Sequence, residues 1–355
     1  MNTTVRRDIR LKRPPLFAGV LVLSALALAA CASADTTSST STDDATTAVA
    51  AGLDLDLFVD GAIVGDPATV DCTLNGGAET TCYEITISGY PTDHEIGPFC
   101  PDTTSTSADD AGIWFDGEAV YDLDGEFIAN LAETYGDDGW HMYDEDGNVY
   151  VTDTAEAFEA AARPDVDPEY QNYCIEGSYD FLDNGEPIES TVLIPTTPVA
   201  ADASAAPQGN QGITLDGVVI AESAPVDAIL GAYTIASFDD CGGHFNPFEG
   251  YHLHGATGCS ENGEATDGET AIFGYAMDGY AVHSPYSEEE LANVELDDCN
   301  GHSTEELGYH YHANSAEKNQ VIQCLVGQTV ASDDAAGGAP AGGPPAGGPP
   351  AEPNE

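Results

Sequence analysis

Seven of the nine histidines of this chain fall between His244 and His312, and six of them form two copies of one pattern. The first copy is Asp239-Asp240-Cys241-Gly242-Gly243-His244, followed after six residues by Tyr251-His252-Leu253-His254. The second is Asp297-Asp298-Cys299-Asn300-Gly301-His302, followed after six residues by Tyr309-His310-Tyr311-His312. The two windows of sixteen residues share nine identical positions without a gap. In a strand, residues two apart project from the same face, so each His-x-His pair offers two imidazoles to one point. His244 and His302 lie eight residues upstream and can return to that face through a loop bounded by glycines. Neutral imidazole is the commonest ligand for zinc and copper, so the pattern predicts either two three-histidine centres or one shared centre. With only three methionines, and with cysteines assigned to disulfides, the expected ion is Zn(II) or Cu(II) rather than Cu(I). The competing reading is a hydrogen-bond network of histidines in a tyrosine-rich β protein, with no metal. A strongly negative chain is also expected to raise histidine pKa values, so that protons compete with the ion in mild acid.

Further residues are candidates around this set. His283 and His94 are possible additional ligands, as is Asp278. If a bound ion activated water or oxygen, Asp278, Asp240 or Asp298 would be the general base. His141, between Trp140 and Met142, reads as partly buried structure. No Gly-x-Ser-x-Gly, His-Glu-x-x-His or phosphate loop is present, so standard hydrolase mechanisms gain no support. The run Asp144-Glu145-Asp146-Gly147-Asn148 lacks a first ligand and a closing glutamate for calcium, and reads as a hairpin turn.

The elements that position these residues read as mainly β, an α+β body with a few short helices, stapled by disulfides. Strand-like segments recur at 53–59, 81–88, 147–152, 213–220, 233–238 and 272–282, with Asp-Gly turns at Asp60, Asp124, Asp146 and Asp216. Short helices are expected at 126–135, at 154–162 with Asp153 as cap, and at 225–230. The Ala-rich stretch 198–211 reads as a loop or linker between an N-terminal part, 51–200, and a histidine-bearing part, 211–330. Eight cysteines remain once Cys31 is set aside, and eight allow 105 connectivities. Each repeat has one leading and one following cysteine, which predicts Cys241 with Cys259 and Cys299 with Cys324. Cys72 with Cys82 would staple a hairpin, leaving Cys100 with Cys174.

Between the repeats lies Ile272-Phe273-Gly274-Tyr275-Ala276-Met277-Asp278-Gly279-Tyr280-Ala281-Val282-His283-Ser284-Pro285-Tyr286. Together with Asp297-Asp298-Cys299-Asn300-Gly301-His302 and Tyr309-His310-Tyr311-His312, it resembles the YHYH-domain family of exported bacterial proteins. Ser88 to Phe99 is similar to that family's Gly-x-Pro-x-His segment, and Gly212 to Val218 to its Gly-x-x-x-Asn-Gly-Val strand, so the resemblance spans about residues 83–326. The chain departs from it where His283-Ser284 replaces an aromatic-Gly pair, and where the first repeat reads Tyr-His-Leu-His. The resemblance implies one exported module and no particular reaction.

Export is also written at the N-terminus. A basic stretch, Arg6 to Arg13, precedes an apolar run that ends in Leu28-Ala29-Ala30-Cys31, which resembles a lipoprotein signal with Cys31 as the lipidated residue. Residues 1–30 would be removed and 31–50 would form a flexible tether with a reach of roughly 25 Å. Residues 331–355 are Gly, Pro and Ala repeats that read as a disordered tail. The full chain carries 7 Lys+Arg against 63 Asp+Glu, a formal charge of −56. Without the signal only Arg163 and Lys318 remain as fixed positive charges, which excludes nucleic acid and anionic lipid surfaces as partners. The expected partners are a metal cation and, through the lipid anchor only, a membrane, with the protein at the cell envelope on the outer membrane or cell surface. Three functions fit: a metal-binding lipoprotein, a metal-dependent hydrolase or oxidoreductase, and a structural or adhesion lipoprotein whose histidines only pack.

Overall fold

The computed structural model describes residues 52–331, except 93, 164, 183–184, 248 and 262–267. The signal, the tether, Cys31 and nearly all of the expected tail lie outside the described residues. Among the described residues no helix is long and apolar enough to cross a membrane.

Strands β1 (Ala68–Thr73) and β2 (Glu79–Ile87) form an antiparallel hairpin, and β6 (Ser190–Pro195) adds to β2. Alternation along β2 puts Ile85 and Ile87 inward with Glu84 and Thr86 outward, as a half-buried strand requires. Ile85, Ile87, Val192 and Ile194 share a core with Ile213, Leu215, Val219 and Tyr275 of the main sheet, so the small sheet packs on the larger one. A second core, around Trp114, Phe115, Leu123, Ile128, Trp140 and Phe238, is built on the hairpin of β3 (Ile113–Phe115) and β4 (Val120–Asp122) and on helices α1 (Gly125–Ala129) and α2 (Leu131–Tyr135). Nearby, β5 (Cys174–Ile175) pairs in parallel with β10 (Ile235–Ala236).

The main sheet has eight strands. These are β8 (Gly212–Thr214), β9 (Val219–Ile220), β11 (Gly243–Asn246), β12 (Gly250–Leu253), β13 (Ile272–Ala276), β14 (Ala281–His283), β15 (Gly301–Thr304) and β16 (Gly308–His312), in the order β11-β12-β9-β8-β13-β14-β16-β15. The order is a palindrome of two four-strand units. In each unit a hairpin with an Asp-Gly turn, Asp216-Gly217 or Asp278-Gly279, is followed by a short helix, α4 (Val226–Gly231) or α5 (Glu288–Leu291), and then by a histidine hairpin at the sheet margin. The registers coincide. His244 faces His252 as His302 faces His310, and Leu253 pairs Ile220 as Tyr311 pairs Val282. The units meet at β8 and β13, where Ile213 faces Tyr275 across a local two-fold. The duplication is therefore larger than the sixteen-residue repeat.

The mainly β, disulfide-stapled class holds. The four bonds are Cys72–Cys82, Cys100–Cys174, Cys241–Cys259 and Cys299–Cys324, the four pairs expected. Such a set marks an oxidising, extracytoplasmic compartment. Several local expectations need correction: the helix expected at 126–135 is two, broken at Asn130, the strand expected at 233–238 is only Ile235–Ala236, and those expected at 213–220 and 272–282 are hairpins. Residues 53–59 are not a strand, because the Asp54 carboxylate accepts from Asp56 N and starts a 3₁₀ turn over Leu55–Leu57. Residues 147–152 make only isolated bridges, around the expected Asp144 turn. Helix α3 (Ala155–Ala161) is capped by Thr154 rather than Asp153. Within the stretch read as a linker, β7 (Ala200–Ala205) is an exposed strand paired with β17 (Leu325–Gly327). Its small residues carry no strand signal, and the pairing comes from a segment over a hundred residues away.

Candidate metal centres

Each repeat folds into the same clamp. Asp239 Oδ1 accepts from Cys241 N and Gly243 N, both at 3.1 Å, and Asp297 Oδ1 accepts from Cys299 N and Gly301 N, both at 2.9 Å. The second oxygen of each aspartate takes the hydroxyl of the repeat tyrosine, Tyr251 at 2.8 Å and Tyr309 at 2.9 Å. The turn passes through the left-handed region at Gly242 (φ 79°) and Asn300 (φ 58°). Gly243 and Gly301 leave no room for a Cβ, which would run into the ring of Tyr251 or Tyr309. All these identities serve one end: they return the first histidine of each repeat to the strand carrying the other two.

The six histidines form two separate groups. In the first, His244 Nε2 lies 3.0 Å from His252 Nε2 and 3.2 Å from His254 Nε2. In the second, His302 Nε2 lies 2.9 Å from His310 Nε2 and 3.2 Å from His312 Nε2. The far ring nitrogens explain what these contacts are. His252 Nδ1 faces Gly250 O at 3.0 Å, His310 Nδ1 faces Gly308 O at 3.1 Å, and His312 Nδ1 faces Ser284 O at 3.2 Å. A carbonyl only accepts, so Nδ1 carries the proton and Nε2 presents a lone pair. His254 Nδ1 is buried and makes no well-formed hydrogen bond, with the Glu222 backbone only weakly engaged. Lone pairs converging at such distances repel unless a cation lies between them. For zinc–nitrogen bonds of about 2.0–2.1 Å, a tetrahedral centre has ligand–ligand edges of about 3.3 Å, close to what both groups show.

Burial, not the acidic surface, governs His244, His252, His254, His310 and His312. It pushes His244 and His254 well below the ordinary imidazole range, lowers His252 and His310, and takes His312 to about 3. The expectation that the negative field raises them is overturned: desolvation of a ring inside the sheet outweighs charges screened by water. Glu269 joins the second group, its Oε2 within 3.1–3.4 Å of all three Nε2 atoms. Burial pushes its carboxyl up, but the Tyr286 hydroxyl and the adjacent imidazoles outweigh this and hold it below the usual carboxylate range. Sequence reasoning missed Glu269, which sits in a loop with no counterpart in the first repeat. It missed Tyr286 as a partner of the site too, whose ring stacks on His312 at 4.0 Å.

The remaining candidates lie as follows. His283 ends β14 with its ring 4.7 Å from that of His310, and its Nδ1 faces Thr270 O at 2.6 Å; it borders the second group without joining it. His94 stands outside both trios, 3.5 Å from Asp216 and beside Cys241 and Cys259, whose sulfurs are joined to each other. Asp278 is buried under Tyr311, whose hydroxyl donates to it at 2.6 Å, and burial raises it to about 6. Asp240 and Asp298 are exposed and belong to neither group. His141 is exposed rather than partly buried, with Nδ1 on Gly139 O.

No curated protein and no solved structure matches the chain. A family described as YHYH protein matches residues 191–295, which holds the first histidine hairpin and the hairpin of β13 and β14 but stops short of the second histidine hairpin. The match is narrower than the span of the resemblance, and it is this segment that is similar to the family.

Proposed function

We propose that the chain is an exported, lipid-anchored protein that binds two transition-metal ions, Zn(II) or Cu(II), one at His244, His252 and His254 and one at His302, His310 and His312. The observation that carries this reading is the convergence of three imidazole Nε2 atoms at each group, with Nδ1 protons committed to backbone carbonyls at His252, His310 and His312. At the second group the lone pairs of His310 and His312 Nε2 meet the Glu269 carboxylate, itself an acceptor, at 3.1 and 3.4 Å, an arrangement that a cation relieves. Lipidation at Cys31 rests on the signal sequence alone. The test is elemental analysis, after equilibrium dialysis at neutral pH, of protein purified without a histidine tag. Two ions per chain are expected, falling to one in His310→Ala/His312→Ala. A chain that takes up neither zinc nor copper ends this reading.

A further inference from the structure

The two centres are copies in sequence but not in donor set. At the second, Glu269 Oε2 lies 3.3, 3.1 and 3.4 Å from the Nε2 atoms of His302, His310 and His312, so the carboxylate caps the face the three nitrogens make. It is held there: the Tyr286 hydroxyl reaches Glu269 Oε2 at 2.8 Å and Gly268 O at 3.0 Å, while the same ring stacks on His312. Four protein donors at tetrahedral spacing make a closed site of the structural kind. At the first centre the described residues supply three imidazoles and no carboxylate. What abuts it instead is the fully buried Phe238, with its ring centroid 4.8 Å from that of His244 and 5.4 Å from that of His254. A phenyl ring offers an ion no lone pair.

We infer that the centres divide the work. The second holds its ion permanently, and the first keeps a coordination position for an exchangeable small ligand, water or a compact anion. This rests on the metal-binding reading and sharpens it, because a three-histidine centre with a free position is the arrangement that accepts water or substrate. Phe238, itself stacked on Phe115 at 4.1 Å, walls the first centre with apolar surface and restricts the ligand by size. His302 borders a cleft of about 360 Å³ lined also by Glu295, Leu296, Asp297 and Tyr309. With Glu269 at the fourth corner, that cleft is a path for the ion rather than for a ligand.

The full chain loaded with Co(II) and titrated with azide tests this, read by elemental analysis and by the visible cobalt bands. Two cobalts per chain are expected, with azide shifting the bands of one. His244→Ala/His254→Ala should keep one cobalt and lose the azide response. Glu269→Ala, with Glu269→Gln as the gentler change, should raise the response about two-fold, circular dichroism confirming that each variant is folded. An azide response that survives in His244→Ala/His254→Ala, an equal response of both centres in the unaltered chain, or none despite two bound cobalts overturns the inference and leaves the metal reading intact. Failure to bind cobalt at all overturns both.

Discussion

Burial of imidazoles in a β-sheet sets how this protein responds to acid. His244, His252, His254, His283, His310 and His312 all sit below the ordinary imidazole range when folded, His283 at about 4 and His312 at about 3. In the unfolded chain each takes up its proton near pH ~6.5. Below that pH the unfolded chain therefore binds more protons than the folded one, and stability that is complete above it drains away as the pH falls toward about 4. Asp239 and Asp278, raised to about 6 by burial, act in the opposite sense: the folded chain keeps their protons where the unfolded chain has shed them. Six histidines outnumber two aspartates, so the net direction is loss on acidification. The thermal midpoint of the metal-free protein should fall between about pH 7 and about pH 4.5, and a flat or rising midpoint would contradict it.

At the scale of elements, each histidine hairpin is held at its base by a disulfide, Cys241–Cys259 in one unit and Cys299–Cys324 in the other. Cys299 and Cys324 lie 25 residues apart, and closing such a loop restricts the unfolded chain. Cys299→Ser/Cys324→Ser should lower unfolding free energy by about 3 kcal/mol, read from denaturant midpoints, and unchanged midpoints would show that the bond does not carry the unit. The histidine hairpins were legible in the sequence because nine identities in sixteen positions encode one clamp of aspartate, glycine and tyrosine around the histidines. The inner halves of the units were not, because Ile213 and Tyr275, or Ile220 and Val282, need only be apolar to occupy equivalent places. Their spacing also shifts between copies: the Asp-Gly turns are 62 residues apart, the histidines 58. Glu269 was illegible for a different reason, since a carboxylate brought in by an unrepeated loop leaves no period to detect.

On the scale of the whole molecule, the charge of −56 is carried by a surface with almost no cations to answer it; among the described residues Arg163 meets Asp165 and Asp167 at 3.9 Å in exposed pairs that add little. The fold depends instead on apolar cores, disulfides and the clamps, and the acidic exterior draws cations toward the sheet. Composition argues against anionic partners but could not show that the N-terminal and histidine-bearing parts interlock. That follows from the core that Ile85, Ile87, Val192 and Ile194 share with Ile213, Leu215 and Tyr275, and from Phe238, which belongs to the tryptophan core while touching the first histidine trio. Phe238 has one more consequence. Trp114 lies parallel to it, with centroids 6.1 Å apart and planes 12° apart, and Phe238 in turn lies against His244. Phe238 thus touches both one of the chain's two tryptophans and the first centre, giving the molecule a built-in optical gauge. Copper(II) entering there should quench Trp114 emission in step with occupancy, and His244→Ala/His254→Ala should abolish the quenching while the second centre still fills.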